Sequence, residues 1–200
     1  MKVLQINSSI HGAAGQSSVL AAQLARQFDA EVTVRDFTVE PVPHLDAARF
    51  AAFASKPGQR SAAQQAVIDY SDRLIEEVRQ ADVLVLGVPM YNFSVPSQLK
   101  AWFDHLARAG VTFKYSETGP VGLITGKKVY VISTRGGIHA GKPIDTETNY
   151  LRDFLAFLGM TDVEFIYAEG LAYGEPVREQ ALATARASVA RIVPALAYAA

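Results

Sequence analysis

The run Val83-Leu84-Val85-Leu86, set between Asp82 and Gly87-Val88-Pro89, constrains this chain more than any other stretch. It is short, rich in β-branched residues and apolar at every position rather than at every second one. A segment apolar on both faces has to be covered on both faces, which is the situation of a central strand in a parallel sheet. That strand is expected over Asp82–Val88. Four further strands are expected at Lys2–Asn7, Glu31–Asp36, Lys128–Thr134 and Asp162–Ala168. Between them, apolar residues recur at helical spacing: Leu20, Leu24 and Phe28; Val67, Leu74, Ile75 and Val78; Leu99, Trp102, Phe103 and Leu106; Leu151, Phe154, Leu155 and Leu158. Pro176 opens a last, alanine-rich helix reaching to about residue 195, at a position where its missing N–H costs nothing. Strands alternating with helices predict an α/β three-layer sandwich, a five-stranded parallel sheet with helices on both faces.

Length and composition narrow what such a sheet serves. At 200 residues the chain is expected to form a single domain over 1–200. It has no cysteine, which excludes a disulfide scaffold, a thiolate zinc site and a cysteine nucleophile. Nineteen basic residues against twenty acidic ones leave a net charge of −1, so no overall field draws the protein to nucleic acid or an anionic membrane. The opening run Val3-Leu4-Gln5-Ile6 is too short for a secretory leader. The uncharged stretch 83–99 is interrupted by Pro89, Asn92, Ser94, Pro96 and Gln98, which argues against a membrane span. A cytoplasmic protein with no membrane and no nucleic-acid partner is therefore expected.

In an open parallel sheet, ligands lie beyond the carboxyl ends of the strands where the strand order reverses. Three loops qualify. The first, Ser8-Ser9-Ile10-His11-Gly12-Ala13-Ala14-Gly15-Gln16-Ser17-Ser18, brings hydroxyls and an amide to a helix N-terminus, where free backbone N–H groups and the helix dipole favour a phosphate. It holds no lysine or arginine, so a phosphate there is held by neutral donors. The second, Pro89-Met90-Tyr91-Asn92-Phe93-Ser94-Val95-Pro96, sets aromatic and amide groups at the end of the central strand, which suits a flat ring with hydrogen-bonding edges. A phosphate and a planar ring together describe a mononucleotide. The third loop, from Thr134, contains Gly136-Gly137-Ile138-His139-Ala140-Gly141-Lys142 and matches G-x-x-x-x-G-K. Pro143 stands where a nucleoside triphosphatase needs a magnesium-binding serine or threonine, and that reading is rejected. No pair of the four histidines has metal-ligand spacing, so no metal is expected.

These residues carry a family resemblance. Val88-Pro89-Met90-Tyr91-Asn92-Phe93, Leu99-Lys100, Phe103-Asp104, Arg108-Ala109-Gly110-Val111-Thr112-Phe113-Lys114-Tyr115, Thr125-Gly126-Lys127-Lys128 and Ser133-Thr134-Arg135-Gly136-Gly137-Ile138-His139 resemble the FMN-dependent NADH-azoreductases among the flavodoxin-like quinone reductases. The resemblance implies strand order 2-1-3-4-5 and homodimers in which each subunit binds FMN and the partner completes its site. It implies two-electron ping-pong chemistry, from NADH or NADPH as co-substrate, through the flavin, to quinones and azo compounds, whose azo bond is cleaved. Carried over by position, Ser9, Gln16 and Ser17 resemble phosphate binders. Pro89, Met90, Tyr91, Asn92 and Phe93 resemble flavin-edge contacts, and Thr134, Arg135, Gly136 and Gly137 the loop on the far side of the ring. Gly15 replaces a frequent serine, leaving its N–H as the expected contribution, and Thr134 replaces a serine.

The chemistry then belongs to the flavin, and no protein nucleophile is required. His139 or the Gly136 and Gly137 amides are expected to donate toward flavin N1/O2, where negative charge develops on reduction. Two connections, 37–60 and 108–126, are longer than compact α/β units need and are expected to supply the dimer interface and a substrate wall. Phe113 and Tyr115 are the candidates for that wall. Two alternatives remain open at this level, a flavodoxin-like electron carrier and a non-catalytic FMN-binding protein. The first sits poorly with a near-neutral charge.

Overall fold

A computed structural model describes residues 1–197, with side chains described as far as Ile192. Five parallel strands form the central sheet: β1 (Lys2–Asn7), β2 (Glu31–Asp36), β3 (Val83–Pro89), β6 (Lys128–Thr134) and β7 (Asp162–Ala168), in the order β2-β1-β3-β6-β7. Counting only sheet strands, this is the expected 2-1-3-4-5. The middle strand begins at Val83 rather than Asp82 and runs through Pro89, which pairs in register with Thr134.

The two-sided burial of β3 follows from its side chains. Leu84, Leu86 and Val88 point into a core built with α3 (Ala62–Gln80), α4 (Ser97–Leu106) and α5 (Thr146–Leu158), where Trp102, Phe103 and Leu155 are fully buried. Val83 and Val85 point the other way, into a second core closed by α1 (Gln16–Ala25) and α6 (Glu175–Ala197) around Leu24, Tyr130 and Val189. Gly87 falls on that same face. A Cβ there would lie 3.0 Å from the Ser17 carbonyl oxygen, so the missing side chain is what lets the start of α1 press onto the strand.

Neither long connection is irregular throughout. Residues 37–60 contain a short helix, α2 (Ala47–Phe53), started by Asp46, whose carboxylate accepts the Arg49 N–H. Residues 108–126 contain an antiparallel hairpin of β4 (Phe113–Ser116) and β5 (Gly119–Gly122). Its base is seated on the end of α5: a Cβ on Gly122 would fall 2.1 Å from the Gly159 nitrogen, and Ile124 N–H donates to the Leu158 carbonyl at 2.9 Å. Six α-helices among the described residues thus replace the five expected, and a second small sheet is added. Among the described residues, no helix is long and apolar enough to cross a membrane.

Candidate active site

The three loops converge at the carboxyl ends of β1, β3 and β6. The first passes through a single 3-10 turn, Gly12–Ala14, before α1 begins. Gly15 precedes the helix with extended backbone and supplies no side-chain cap, and the first turn of α1 has no acidic residue. The opening N–H groups of α1 therefore lack the carboxylate that commonly settles there. Ser17 is fully buried, and its hydroxyl has no hydrogen-bond partner. The N–H of Gly15, expected as a ligand donor, is taken by the Gly12 carbonyl at 3.1 Å. Gly15 has a different use: a Cβ there would sit 2.3 Å from Ser9 Oγ, so the bare glycine leaves room for the Ser9 side chain. Ser9 Oγ lies 3.3 Å from the Tyr91 hydroxyl, which ties the first loop to the second.

The second loop is a tight turn. Tyr91 N–H donates to the Ser94 carbonyl at 2.9 Å and Ser94 N–H returns to the Tyr91 carbonyl at 3.0 Å. The two residues between, Asn92 and Phe93, have φ of 50° and 64°. Consecutive left-handed residues define the turn that glycine and asparagine favour, and a phenylalanine there is strained by roughly 1–2 kcal/mol. Met90 N–H donates to the Thr134 carbonyl at 2.9 Å, fixing the second loop against the third. The cleft beside this turn measures about 650 Å³ and is lined in part by Ser9, Tyr91 and Asn92. The exposed ring of Phe93 stands edge-on to His139, with ring centres 5.8 Å apart. Gln16, Met90, Thr134, Gly136, Gly137 and His139 surround this end of the sheet without lining that cleft. Two larger clefts, one between α2 and α3 and one beside Lys128 and Asp162, lie away from the convergent loops.

The third loop contains the least expected arrangement. Arg135 does not reach outward; its guanidinium is fully buried. Nη1 meets Asp145 at 3.0 Å and Glu169 at 3.3 Å, Nη2 meets Glu147 at 3.1 Å, and Nε donates to Ser133 Oγ at 2.8 Å. Burial works against the charge of this guanidinium, but the carboxylates around it more than offset that and raise its pKa. Burial also pushes Glu147 up to about 7 against the pull of Ser133 and Arg135. Asp145 goes the other way: burial opposes its charge, yet hydrogen bonds from Arg135 and Thr148 hold it below the usual carboxylate range. The His139 ring lies across Gly137, where a Cβ would meet its Nε2 at 2.5 Å, and its Nδ1 is buried without a partner.

The two aromatic wall candidates separate. Phe113 is buried, with its ring 4.3 Å from that of Phe157, and serves to hold the hairpin on α5. Tyr115 meets the Phe113 ring edge-on and is 75% exposed.

With this geometry in view, the comparison with known proteins is decisive: the family described as having a flavodoxin-like fold matches residues 1–193. The chain belongs to the flavodoxin-like fold family. It is 52% identical to a protein of Cellvibrio japonicus (strain Ueda107) named FMN-dependent NADH:quinone oxidoreductase, over 96% of this chain and 98% of that one. A protein of the same name from Burkholderia pseudomallei (strain 1710b) is 51% identical over 95% and 98%. Among solved structures, an azoreductase from Bacillus anthracis str. Sterne superposes with a TM-score of 0.86 at 26% identity, over 96% of this chain and 98% of that one. An FMN-dependent NADH-azoreductase from Bacillus anthracis str. Ames Ancestor, in complex with FMN, superposes with a TM-score of 0.82 at 25% identity, over 96% and 99%.

Within this flavodoxin-like chain, sequence reasoning missed Asp145, Thr146, Glu147, Thr148 and Glu169. Each places a side chain on a site loop or on Arg135. One signal was available: Arg135 directly follows β6 and stands two residues from Ser133, so continued extension puts both on one face, and an arginine beside an inward serine calls for inward acidic partners.

Proposed function

We propose that this protein is an FMN-dependent NADH:quinone oxidoreductase that also reduces azo compounds, by a two-electron ping-pong reaction. The observation that carries the reading is the buried, unpartnered Ser17 hydroxyl at the start of α1, in a first turn with no acid and no cap. The neighbouring Ser18 hydroxyl is buried without a partner as well. Polar groups left like this at a helix start fit an anion, and a helix N-terminus with neutral donors fits a phosphate monoester. FMN, when bound, supplies the hydride-accepting and hydride-donating ring. The relatives' names and full-length identity support the same assignment.

The chain's own groups have distinct tasks. Ser9, Gln16 and Ser17, with the α1 amides, hold the phosphate. The turn at Tyr91–Ser94 offers the Asn92 and Phe93 amides and one aromatic wall at the ring edge. Gly137 makes room for the His139 ring that lies across it, and the His139 imidazole or the Gly136 and Gly137 amides donate toward N1/O2. The Arg135 guanidinium takes no direct part. Phe93, Tyr115, Ile10 and Phe50 are large apolar residues between 54% and 75% exposed, which supports a homodimer whose partner covers them. The match over 1–193 supports one domain for the whole chain. The near-neutral charge and the absence of a membrane-spanning helix among the described residues support a cytoplasmic enzyme with small planar substrates.

The test is the visible spectrum of the purified protein under anaerobic conditions. We expect a flavin spectrum that bleaches with NADH and returns on adding a quinone or an azo dye. A protein that neither carries nor takes up FMN would overturn the reading. Bleaching without reoxidation by either acceptor would return the carrier alternative.

A further inference from the structure

Two loops flank the proposed flavin site on its aromatic side, and both are fastened to one short stretch of helix. Asp145 caps α5, accepting the Thr148 N–H at 3.2 Å, and its second carboxylate oxygen accepts the Gly141 N–H at 3.3 Å. Thr146 donates its hydroxyl to the carbonyl oxygen of Phe93, in the strained turn. Glu147 and Thr148 both face the Arg135 guanidinium, at 3.1 and 2.8 Å. Glu169, which shares the guanidinium's Nη1 with Asp145, accepts at Oε1 the N–H groups of His139 and Ala140, each at 2.8 Å. Every residue of the opening turn Asp145-Thr146-Glu147-Thr148 therefore reaches a loop of the site, directly or through Arg135.

The geometry points to Arg135, Glu169 and the opening turn of α5 as a positioning unit that fixes His139 and Phe93 relative to each other across the flavin site. The inference rests on the flavin reading and deepens it. An enzyme that works through a bound ring needs its donor and its wall held to a fraction of an ångström. A loop of glycines and a turn with two left-handed residues do not hold themselves. Here the rigidity comes from charge-assisted hydrogen bonds in a dry site, which are the strong ones. Thr146 is exposed, and its hydroxyl is directed to the Phe93 carbonyl, which connects the phenylalanine turn to the helix that also holds the Arg135 cluster. Phe93 and His139 meet edge-on as a consequence.

The test uses three variants of the purified protein and three readouts: hydrogen exchange over 136–141, the FMN dissociation constant and the midpoint potential of the bound flavin. Glu169→Ala is expected to speed exchange at the His139 and Ala140 amides and weaken FMN binding, each about tenfold or more. Thr146→Val, on the surface and nearly the same shape, leaves the fold intact and is expected to weaken FMN binding about fivefold and to shift the midpoint potential. Thr146→Ser keeps the hydroxyl and is expected to restore both. The inference is overturned if Glu169→Ala and Thr146→Val stay within about twofold of the parent in exchange and affinity, whatever their melting temperatures do. It is equally overturned if Thr146→Ser behaves as Thr146→Val. A parent protein that binds no FMN defeats the flavin reading, while the exchange readout still reports whether Glu169 holds the loop.

Discussion

The two sides of the candidate site are built on opposite principles. At the α1 side, Ser17 is buried with an unpartnered hydroxyl, Gly15 supplies no cap and the first turn has no charge. At the α5 side, one buried guanidinium is engaged by three carboxylates, two hydroxyls and the ring of Tyr167, 5.0 Å away. On the proposed reading the first side is completed by a ligand, whereas on the second the guanidinium's donors are taken by the protein, with Glu147 Oε1 left unpartnered beside them. A binding surface keeps donors free, whereas a positioning element uses its own up. Changes on the two sides should therefore separate affinity from stability.

The largest difference is expected between Arg135→Met and Ser17→Ala. Removing the guanidinium leaves buried carboxylates without a counter-charge, and the unfolding free energy should drop by about 3–5 kcal/mol. Removing the Ser17 hydroxyl deletes a group that has no protein partner, so the FMN-free protein should be as stable as before or slightly more so. Its FMN affinity should nevertheless fall about tenfold, the value of one hydrogen bond to a charged group. Urea unfolding without FMN and fluorescence titration with FMN measure the two quantities. A Ser17→Ala protein that is destabilised with unchanged FMN affinity would reverse the assignment of the two sides.

Glu147 sharpens the comparison through pH. Its carboxyl accepts from Ser133 on β6 and from Arg135 just beyond it, and it shares that guanidinium with Asp145, Thr148, Tyr167 and Glu169. Burial raises it to about 7, so the folded protein keeps a proton that the unfolded chain releases nearer 4.5. Between those values the native state binds more protons, and stability contributed by this group falls as pH rises. The loss reaches roughly 3 kcal/mol above pH 7 and is absent below the unfolded pKa. Asp145, held low, acts in the opposite sense and at lower pH, as protonation through its folded pKa removes the stability it contributes. Glu147→Gln keeps the shape and the acceptor but cannot ionise. It should match the parent at pH 4 and exceed it at pH 8, in urea midpoints taken at one FMN concentration. A parent and variant that run parallel across that range would show Glu147 to be ionised throughout.

How far the sequence reveals this contrast differs between the two sides. The alternation of strands and helices, and the three loops that follow β1, β3 and β6, come from helical spacing and from one doubly apolar strand, all local signals, whereas the order of the strands comes with the family resemblance. The α1 side is legible because its hydroxyl-rich loop follows directly on β1, and the resemblance picks Ser9, Gln16 and Ser17 out of that stretch. The α5 side is not, since Arg135, Asp145, Glu147 and Glu169 meet only after β6, α5 and β7 pack, and no spacing rule joins residues up to 34 positions apart. The hairpin at 113–122 escapes because four-residue strands are too short to establish alternation. Helix α2 is not expected within 37–60, because seven residues are too few to set a helical period. The left-handed Asn92-Phe93 pair is hidden altogether, because a phenylalanine gives no hint of positive φ.

That pair supports the smallest and most local prediction. If the turn is strained, the strain belongs to backbone and Cβ, not to the aromatic ring. Phe93→Ala and Phe93→Gly both delete the exposed ring, so they lose the same contact with His139 and the same cover over the site. They differ in what remains at φ of 64°: alanine keeps a Cβ that crowds the backbone there, while glycine does not. Glycine also adds freedom to the unfolded chain, which offsets part of the relief. Phe93→Gly should therefore unfold at higher urea than Phe93→Ala, by about 1 kcal/mol in unfolding free energy. Both should show similarly weakened binding of planar acceptors, read as a raised KM for the quinone. Equal stability of the two would mean that the turn relaxes once the ring is gone, and that contact between Phe93 and His139, rather than the Thr146 tether, holds residue 93 in its left-handed conformation.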